Sequence, residues 1–325
     1  MRRHGDHASG DDHVVVRGSA RVTADPARPA VAAELRAGLA ELARREMPGI
    51  ADASDIERYR AASAARAEPP ETLRARWRLH AAERGEAVTV LTASRAPRPA
   101  ALRVVFLHGG GLIAGTRYAG ADLAGRFAEE LELEVWTIEY PLAPAANFDA
   151  MIAAVLDVLR DATADGAPVV LAGQSAGGGL AAAAGLACRD AGVKLAGLLL
   201  ACPMLDARDT VSAAQFADDA SWDRRSNAVA WEAALSGSAA QPPGERADLA
   251  GLPPVFLDSG SAEVFRDSIV DFAGRLWAAG VSAELHVWDG AYHSSDFVTE
   301  DAEVSRAAHA ARRSWLLRMS ASAVS

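Results

Sequence analysis

Residues able to do acyl-transfer chemistry occur in one order along this chain. They are a serine in Gly173-Gln174-Ser175-Ala176-Gly177, an acid in the stretch from Asp258 to Asp267, and a histidine, His293. A serine hydroxyl is a poor nucleophile until a base takes its proton. A histidine does this when an acid fixes its tautomer and stabilises the imidazolium. An apolar run, residues 168–172, leads into Ser175, and an alanine-rich segment, residues 180–188, leads out. That pattern predicts a strand, a sharp turn with the serine at its tip, and a helix, the small residues permitting a tight, strained turn. The five-residue motif alone also fits an ordinary glycine-rich turn, so its meaning depends on the rest of the chain.

Two loops beyond later apolar strands offer the partners. His293 lies in the loop Trp288-Asp289-Gly290-Ala291-Tyr292-His293-Ser294, whereas His286 falls inside the preceding strand. In the earlier loop, Asp258 is still in or just leaving its strand, and Asp267 starts a helix and reads as an N-cap. Glu263 stands at the loop tip and is the acid chosen. A second constellation, His108-Gly109-Gly110-Gly111, follows the apolar run 102–107. Glycines there turn backbone N–H groups toward a developing oxyanion. With the N–H of Ala176, those of Gly110 and Gly111 would form a three-donor hole, in which each donor is worth about 10²–10³ in rate.

The elements that must hold these residues alternate. From Val88 onward, strands are expected at residues 88–91, 102–107, 133–140, the run into Ser175, 195–201, 254–257 and 283–287, with helices at 119–131, 150–161, after Ser175, 267–279 and 302–317. Such β-α-β-α order implies an α/β fold with a mostly parallel central sheet and helices on both faces. The alternation breaks over 204–249, which reads as an insertion of short helices and loops. Before Val88 no strand pattern stands out. Helical spacing is expected over 31–45, stopped by Pro48-Gly49, then over 53–67 and 71–83. Residues 1–30 read as a mobile polar tail, and its His4, His7 and His13 as solvated side chains.

Composition narrows the partners. The chain has 325 residues, of which 50% are hydrophobic, enough for a large core, and a net charge of −10 that argues against nucleic acid or an anionic membrane surface. Lys194 is the only lysine, a pattern that fits codon bias better than a binding role. Cys188 and Cys202 read as small core residues without metal-ligand or disulfide spacing. No apolar run approaches the ~20 residues of a membrane span, and no apolar signal core opens the chain, so a cytoplasmic protein is expected.

With these motifs in hand, the chain resembles the hormone-sensitive-lipase-like family of bacterial α/β-hydrolase esterases. The resemblance rests on residues 108–111, Tyr140-Pro141-Leu142-Ala143-Pro144, residues 173–178, Pro203-Met204-Leu205-Asp206, the Trp222-to-Asn227 stretch, Gly251-Leu252-Pro253-Pro254, the Glu263-to-Asp267 stretch and Gly290-Ala291-Tyr292-His293, all in the family's order. It implies hydrolysis of small acyl esters through an acyl-enzyme, no cofactor and no metal, and often a homodimer. It also implies a catalytic domain over 86–325 and a helical cap combining the helices of 31–85 with an insertion at about 205–250. The family's acidic position falls on Glu263. Within that resemblance, Gln174 stands where an acid usually precedes the nucleophile, Pro141 and Ala145 where Arg and Glu flank the Tyr-x-Leu-Ala-Pro segment, Asp289 for a proline, and Ser294 for the glycine after the histidine. An ion pair or hydrogen-bond set near the glycine loop is therefore expected to be missing. The same machinery also fits an amidase, lactonase or carbamate hydrolase, and a non-catalytic ligand-binding member is the alternative of another class. Trp222 and Trp231 read as core more readily than as substrate contacts.

Overall fold

A computed structural model of the chain describes residues 27–45, 47–66, 71, 79–93 and 102–322. The tail expected over 1–30 lies largely outside them. Two N-terminal helices form as the leucine spacing and the Pro48-Gly49 stop imply. They are α1 (Arg36–Arg44) and α2 (Ile56–Arg66), led in by 3-10 turns at Ala33–Leu35 and Ala53–Asp55.

Residues 80–84 are not helical. They form β1 (His80–Arg84), which turns through Gly85, at φ 65°, into the antiparallel β2 (Val88–Thr92). Ala81, Ala82, Glu83 and Arg84 favour helices intrinsically, but pairing with β2 overrides that preference. β1 is an edge strand, where exposed charges such as those of Glu83 and Arg84 discourage further pairing. The sheet therefore begins ahead of residue 86. Apart from Glu71 and Leu79, the rest of the stretch 71–79 lies outside the described residues.

The expected alternation then follows: β3 (Arg103–Leu107), α3 (Ala121–Leu131), β4 (Glu134–Ile138), α4 (Phe148–Thr163), β5 (Val169–Gln174), α5 (Ala176–Asp190) and β6 (Gly197–Ala201). The stretch 204–249 holds only α6 (Val211–Gln215), α7 (Arg224–Leu235) and a 3-10 turn at Pro243–Glu245. After it come β7 (Val255–Gly260), α8 (Arg266–Ala278), β8 (Ala283–Trp288), α9 (Ser295–Val298) and α10 (Glu303–Ser322). The order across the eight-stranded sheet is β1-β2-β4-β3-β5-β6-β7-β8, parallel from β4 onward.

Strand periodicity sorts the core into two layers. Val105 and Leu107 of β3 and Leu198 and Leu200 of β6 pack with α4, α5 and α8, while Val104, Phe106 and Leu199 point the other way, onto Leu123 and Phe127 of α3 and Trp315 of α10. Strands buried on both faces read as unbroken apolar runs, which is how they appear in the sequence. Within the insertion, Trp231 is fully buried and meets Phe148 edge-on at 5.2 Å, so it is core as expected. No helix of the described residues is long and apolar enough to cross a membrane.

A third, smaller cluster joins the N-terminal segment to the far end of the chain. Leu35 packs with Ala291, Tyr292 and Ala302, and the Ala32 N–H donates to the Gly290 carbonyl at 3.0 Å. The Glu34 carboxylate accepts the N–H groups of Glu303 and Val304 at 2.8 and 3.1 Å, capping α10 from outside. Those two bonds hold the Glu34 carboxyl below its ordinary value.

Candidate active site

Four loops at the C-terminal ends of parallel strands β3, β5, β7 and β8 converge. Ser175 sits at the β5–α5 turn with φ 55° and ψ −120°, a left-handed conformation that a non-glycine residue adopts only under constraint. The constraint is visible: the Ser175 N–H donates to Ala201 O at 2.9 Å, and its carbonyl accepts from Gly179 at 3.0 Å and Met204 at 2.9 Å. Gly177 is required there, because a Cβ would lie 2.2 Å from the Leu107 carbonyl.

Ser175 Oγ lies 2.9 Å from His293 Nε2, and His293 Nδ1 lies 2.6 Å from Glu263 Oε2. A carboxylate only accepts, so Nδ1 carries the proton and Nε2 presents its lone pair to the serine O–H. The other Glu263 oxygen accepts the Ser259 hydroxyl and the Gly260 N–H, the latter at 2.8 Å. All three side chains are buried, and Phe265 meets the imidazole edge-on at 5.0 Å. Burial alone would depress His293, but the Cys202 sulfur and the Glu263 carboxylate beside it push it above its ordinary value. Burial also raises the Cys202 thiol.

The other candidate acids go elsewhere. Asp258 faces away and binds Arg312, with Oδ2 2.8 Å from Nε and 2.7 Å from Nη2. Burial opposes the Arg312 charge, and Asp258 with Asp296 more than restores it. Asp267 is not an N-cap. It lies one residue inside α8, and its carboxylate accepts the Ser212 N–H of the insertion at 2.7 Å.

The glycine loop is shaped by His108. Its Nδ1 lies 2.7 Å from Gly109 O, its ring stacks on Tyr140 at 4.1 Å, and Tyr140 Oη donates to His108 O at 2.8 Å. Burial pushes this histidine down to about 4, so it is a neutral spacer. Gly110 O accepts from Ile113 and Ala114, and among the described residues none accepts from the N–H groups of Gly110, Gly111 or Ala176. The ion pair expected to be missing here has a substitute the sequence did not suggest. Arg60 of α2 donates to Ile113 O at 2.8 Å and Ala143 O at 2.6 Å.

Two departures from the family pattern meet. Gln174 Nε2 donates to Ser294 Oγ at 2.8 Å, and Ser294 holds φ 60° directly after His293. Replacing either by alanine is expected to cost about 0.5–1.5 kcal/mol, and the double variant less than the sum. Denaturant melts of the four proteins measure this, and additivity within about 0.3–0.5 kcal/mol would show the pair uncoupled. Cys202, expected as core, is buried but stands beside the site, its Sγ 3.6 Å from Ser294 Oγ.

Known proteins place this geometry. Residues 104–297 match the family described as the alpha/beta hydrolase fold. The chain is 30% identical over 203 residues to an acetyl-hydrolase of Streptomyces hygroscopicus, covering 58% of this chain and 67% of that protein. It is 30% identical to the bacterial heroin esterase structure, with TM-score 0.74 over 89% of this chain and 98% of that one. An esterase structure from the bacterial hormone-sensitive lipase family is 25% identical, with TM-score 0.74 over 89% and 99% of the two chains. Fold, site geometry and relatives agree: this chain is a hydrolase belonging to the alpha/beta-hydrolase fold family, among its hormone-sensitive-lipase-like esterases.

Proposed function

We propose that this chain is a serine carboxylesterase that hydrolyses short-chain acyl esters through an acyl-enzyme on Ser175. The observation that carries the reading is the unbroken line from Glu263 through His293 to Ser175, at 2.6 and 2.9 Å. Ser175 Oγ attacks the ester carbonyl while His293 Nε2 takes its proton. The oxyanion accepts the N–H groups of Gly110, Gly111 and Ala176, the last at the N-terminus of α5, where the helix dipole adds to the field. His293 returns the proton to the leaving alcohol. Water then repeats the sequence on the acyl-serine, releasing the acid.

The cap is formed by α1, α2 and the insertion. A cavity of about 170 Å³ between them is lined by Leu42, Met47, Tyr59, Asp219, Trp222 and Asp223. Trp222, though buried, forms one wall of it and sets its ring edge against Gly111, where a Cβ would lie 2.5 Å away.

A fluorophosphonate probe is expected to label the chain once, on Ser175, and to abolish hydrolysis of p-nitrophenyl acetate. Equal labelling of Ser175→Ala would overturn the reading. Gly110→Ala tests the oxyanion donors. At φ 117° its Cβ would lie 2.2 Å from Ala114 O, so the loop must move. A fall in kcat of about 10²–10³ is expected with little change in KM, read from steady-state kinetics.

A further inference from the structure

We propose that Cys202, His293 and Glu263 form a binding site for a thiophilic divalent cation, Zn²⁺ or Cd²⁺, which on binding takes His293 out of the relay and switches hydrolysis off. The switching-off rests on His293 being the base; the binding does not. Among the described residues, these three are the one group of His, Cys, Asp and Glu whose ligand atoms all lie within 4.8 Å of one another. The donor set of one sulfur, one imidazole nitrogen and one carboxylate oxygen is what such ions take.

The sulfur is held in place rather than left to wander. Cys202 has φ 37°, and its N–H donates to the Asp258 carbonyl at 3.0 Å and to Asp258 Oδ1 at 3.2 Å. Asp258 is in turn anchored by Arg312. Charge also balances. The thiol proton leaves to solvent, a metal–sulfur bond forms, and the dication with one thiolate and one carboxylate makes a neutral buried unit, which avoids the cost of an uncompensated buried charge. Ser175, His293 and Cys202 keep 8%, 6% and 5% of their surface exposed, so the site is not fully sealed from solvent. If the ion takes Nε2 it displaces Ser175, and if it takes Nδ1 it breaks the hydrogen bond to Glu263 while the ring proton moves to Nε2, which can then no longer receive the serine proton. Either bond breaks the proton path.

The test starts from chelator-treated protein titrated with ZnCl₂. Hydrolysis of p-nitrophenyl acetate is expected to fall at least tenfold at saturation and to recover on adding EDTA. Cys202→Ala is expected to raise the inhibition constant by at least the 10–100-fold that loss of a mere outer-shell partner costs, and Cys188→Ala to leave it unchanged. A second readout needs no activity. Co²⁺ added to Ser175→Ala should give a thiolate-to-cobalt charge-transfer band that Ser175→Ala/Cys202→Ala lacks. Equal Zn²⁺ inhibition of Cys202→Ala, or no such band, would overturn the site. A band without inhibition would keep the binding and refute the switch.

Discussion

Ser175→Ala is expected to lower kcat for p-nitrophenyl acetate by about 10⁴–10⁶, with KM nearly unchanged. The hydroxyl is the proposed attacking atom, and among the described residues its side-chain hydrogen bond is to His293. Removing it leaves the cap cavity and the backbone donors in place, so substrate still binds. The turn survives as well. Its φ of 55° is enforced by backbone bonds to Ala201, Gly179 and Met204, none of which involves the side chain. Because Ser175 and His293 act as a unit, Ser175→Ala/His293→Ala is expected to be no slower than either single variant. Steady-state kinetics check both statements, and residual activity within tenfold of the parent would remove Ser175 from the mechanism.

The two buried acids, Glu263 and Asp258, are expected to fail in opposite ways. In Glu263→Gln the carbonyl oxygen stays with the Ser259 hydroxyl and Gly260 N–H, which need an acceptor, so the new NH₂ faces His293 Nδ1. Two donors cannot face each other. The imidazole changes tautomer, Nε2 carries the proton, and the lone pair that would take the serine proton is gone. A loss of about 10⁴ in kcat is expected with little change in melting temperature. The pH profile supplies the sign. A protonated imidazole cannot act as a base, and Cys202 and Glu263 together raise His293, so the parent's activity climbs with pH through a midpoint above the ordinary imidazole value. Losing the carboxylate removes its share of that push, and the residual activity of Glu263→Gln climbs at lower pH.

Asp258→Asn leaves the relay intact but half-uncovers the buried guanidinium of Arg312, which keeps only Asp296. A loss of about 3–5 kcal/mol is expected, visible as a lower melting temperature, with activity per folded molecule preserved. If Asp258→Asn were the inactive variant and Glu263→Gln the active one, the acid would be misassigned.

What could be read from the sequence follows from how local each signal is. Ser175 and the glycines at 109–111 declare themselves because tight turns need small residues next to buried apolar runs. Glu263 and His293 follow because parallel strands deliver their loops to one edge. β1 was hidden, since alanine, glutamate and arginine carry no strand signal and only its partner β2 makes it one. The reach of Arg60 to Ile113 and Ala143, the bond between Gln174 and Ser294, and the placement of Cys202 beside His293 join positions far apart in sequence. No spacing rule encodes them. Asp267 shows a local rule losing to tertiary structure: an acid at a helix start is a good cap, but here the insertion's Ser212 claims it.

The bond from Glu34 to the start of α10 has a consequence for how the molecule comes into being. Residues 32–35 brace the segment that carries His293, yet Glu303 and Val304 are synthesised 269 and 270 residues after Glu34. Glu34 must wait for these bonds while nearly everything between is synthesised. Ser175 is in place long before His293 is braced, and the sheet gains its last strand, β8, only just ahead of that histidine. Chains cut short before α10 would lack both the clasp that seats the histidine loop and the Arg312 that offsets buried Asp258 and Asp296, so an abandoned synthesis is expected to yield no esterase activity.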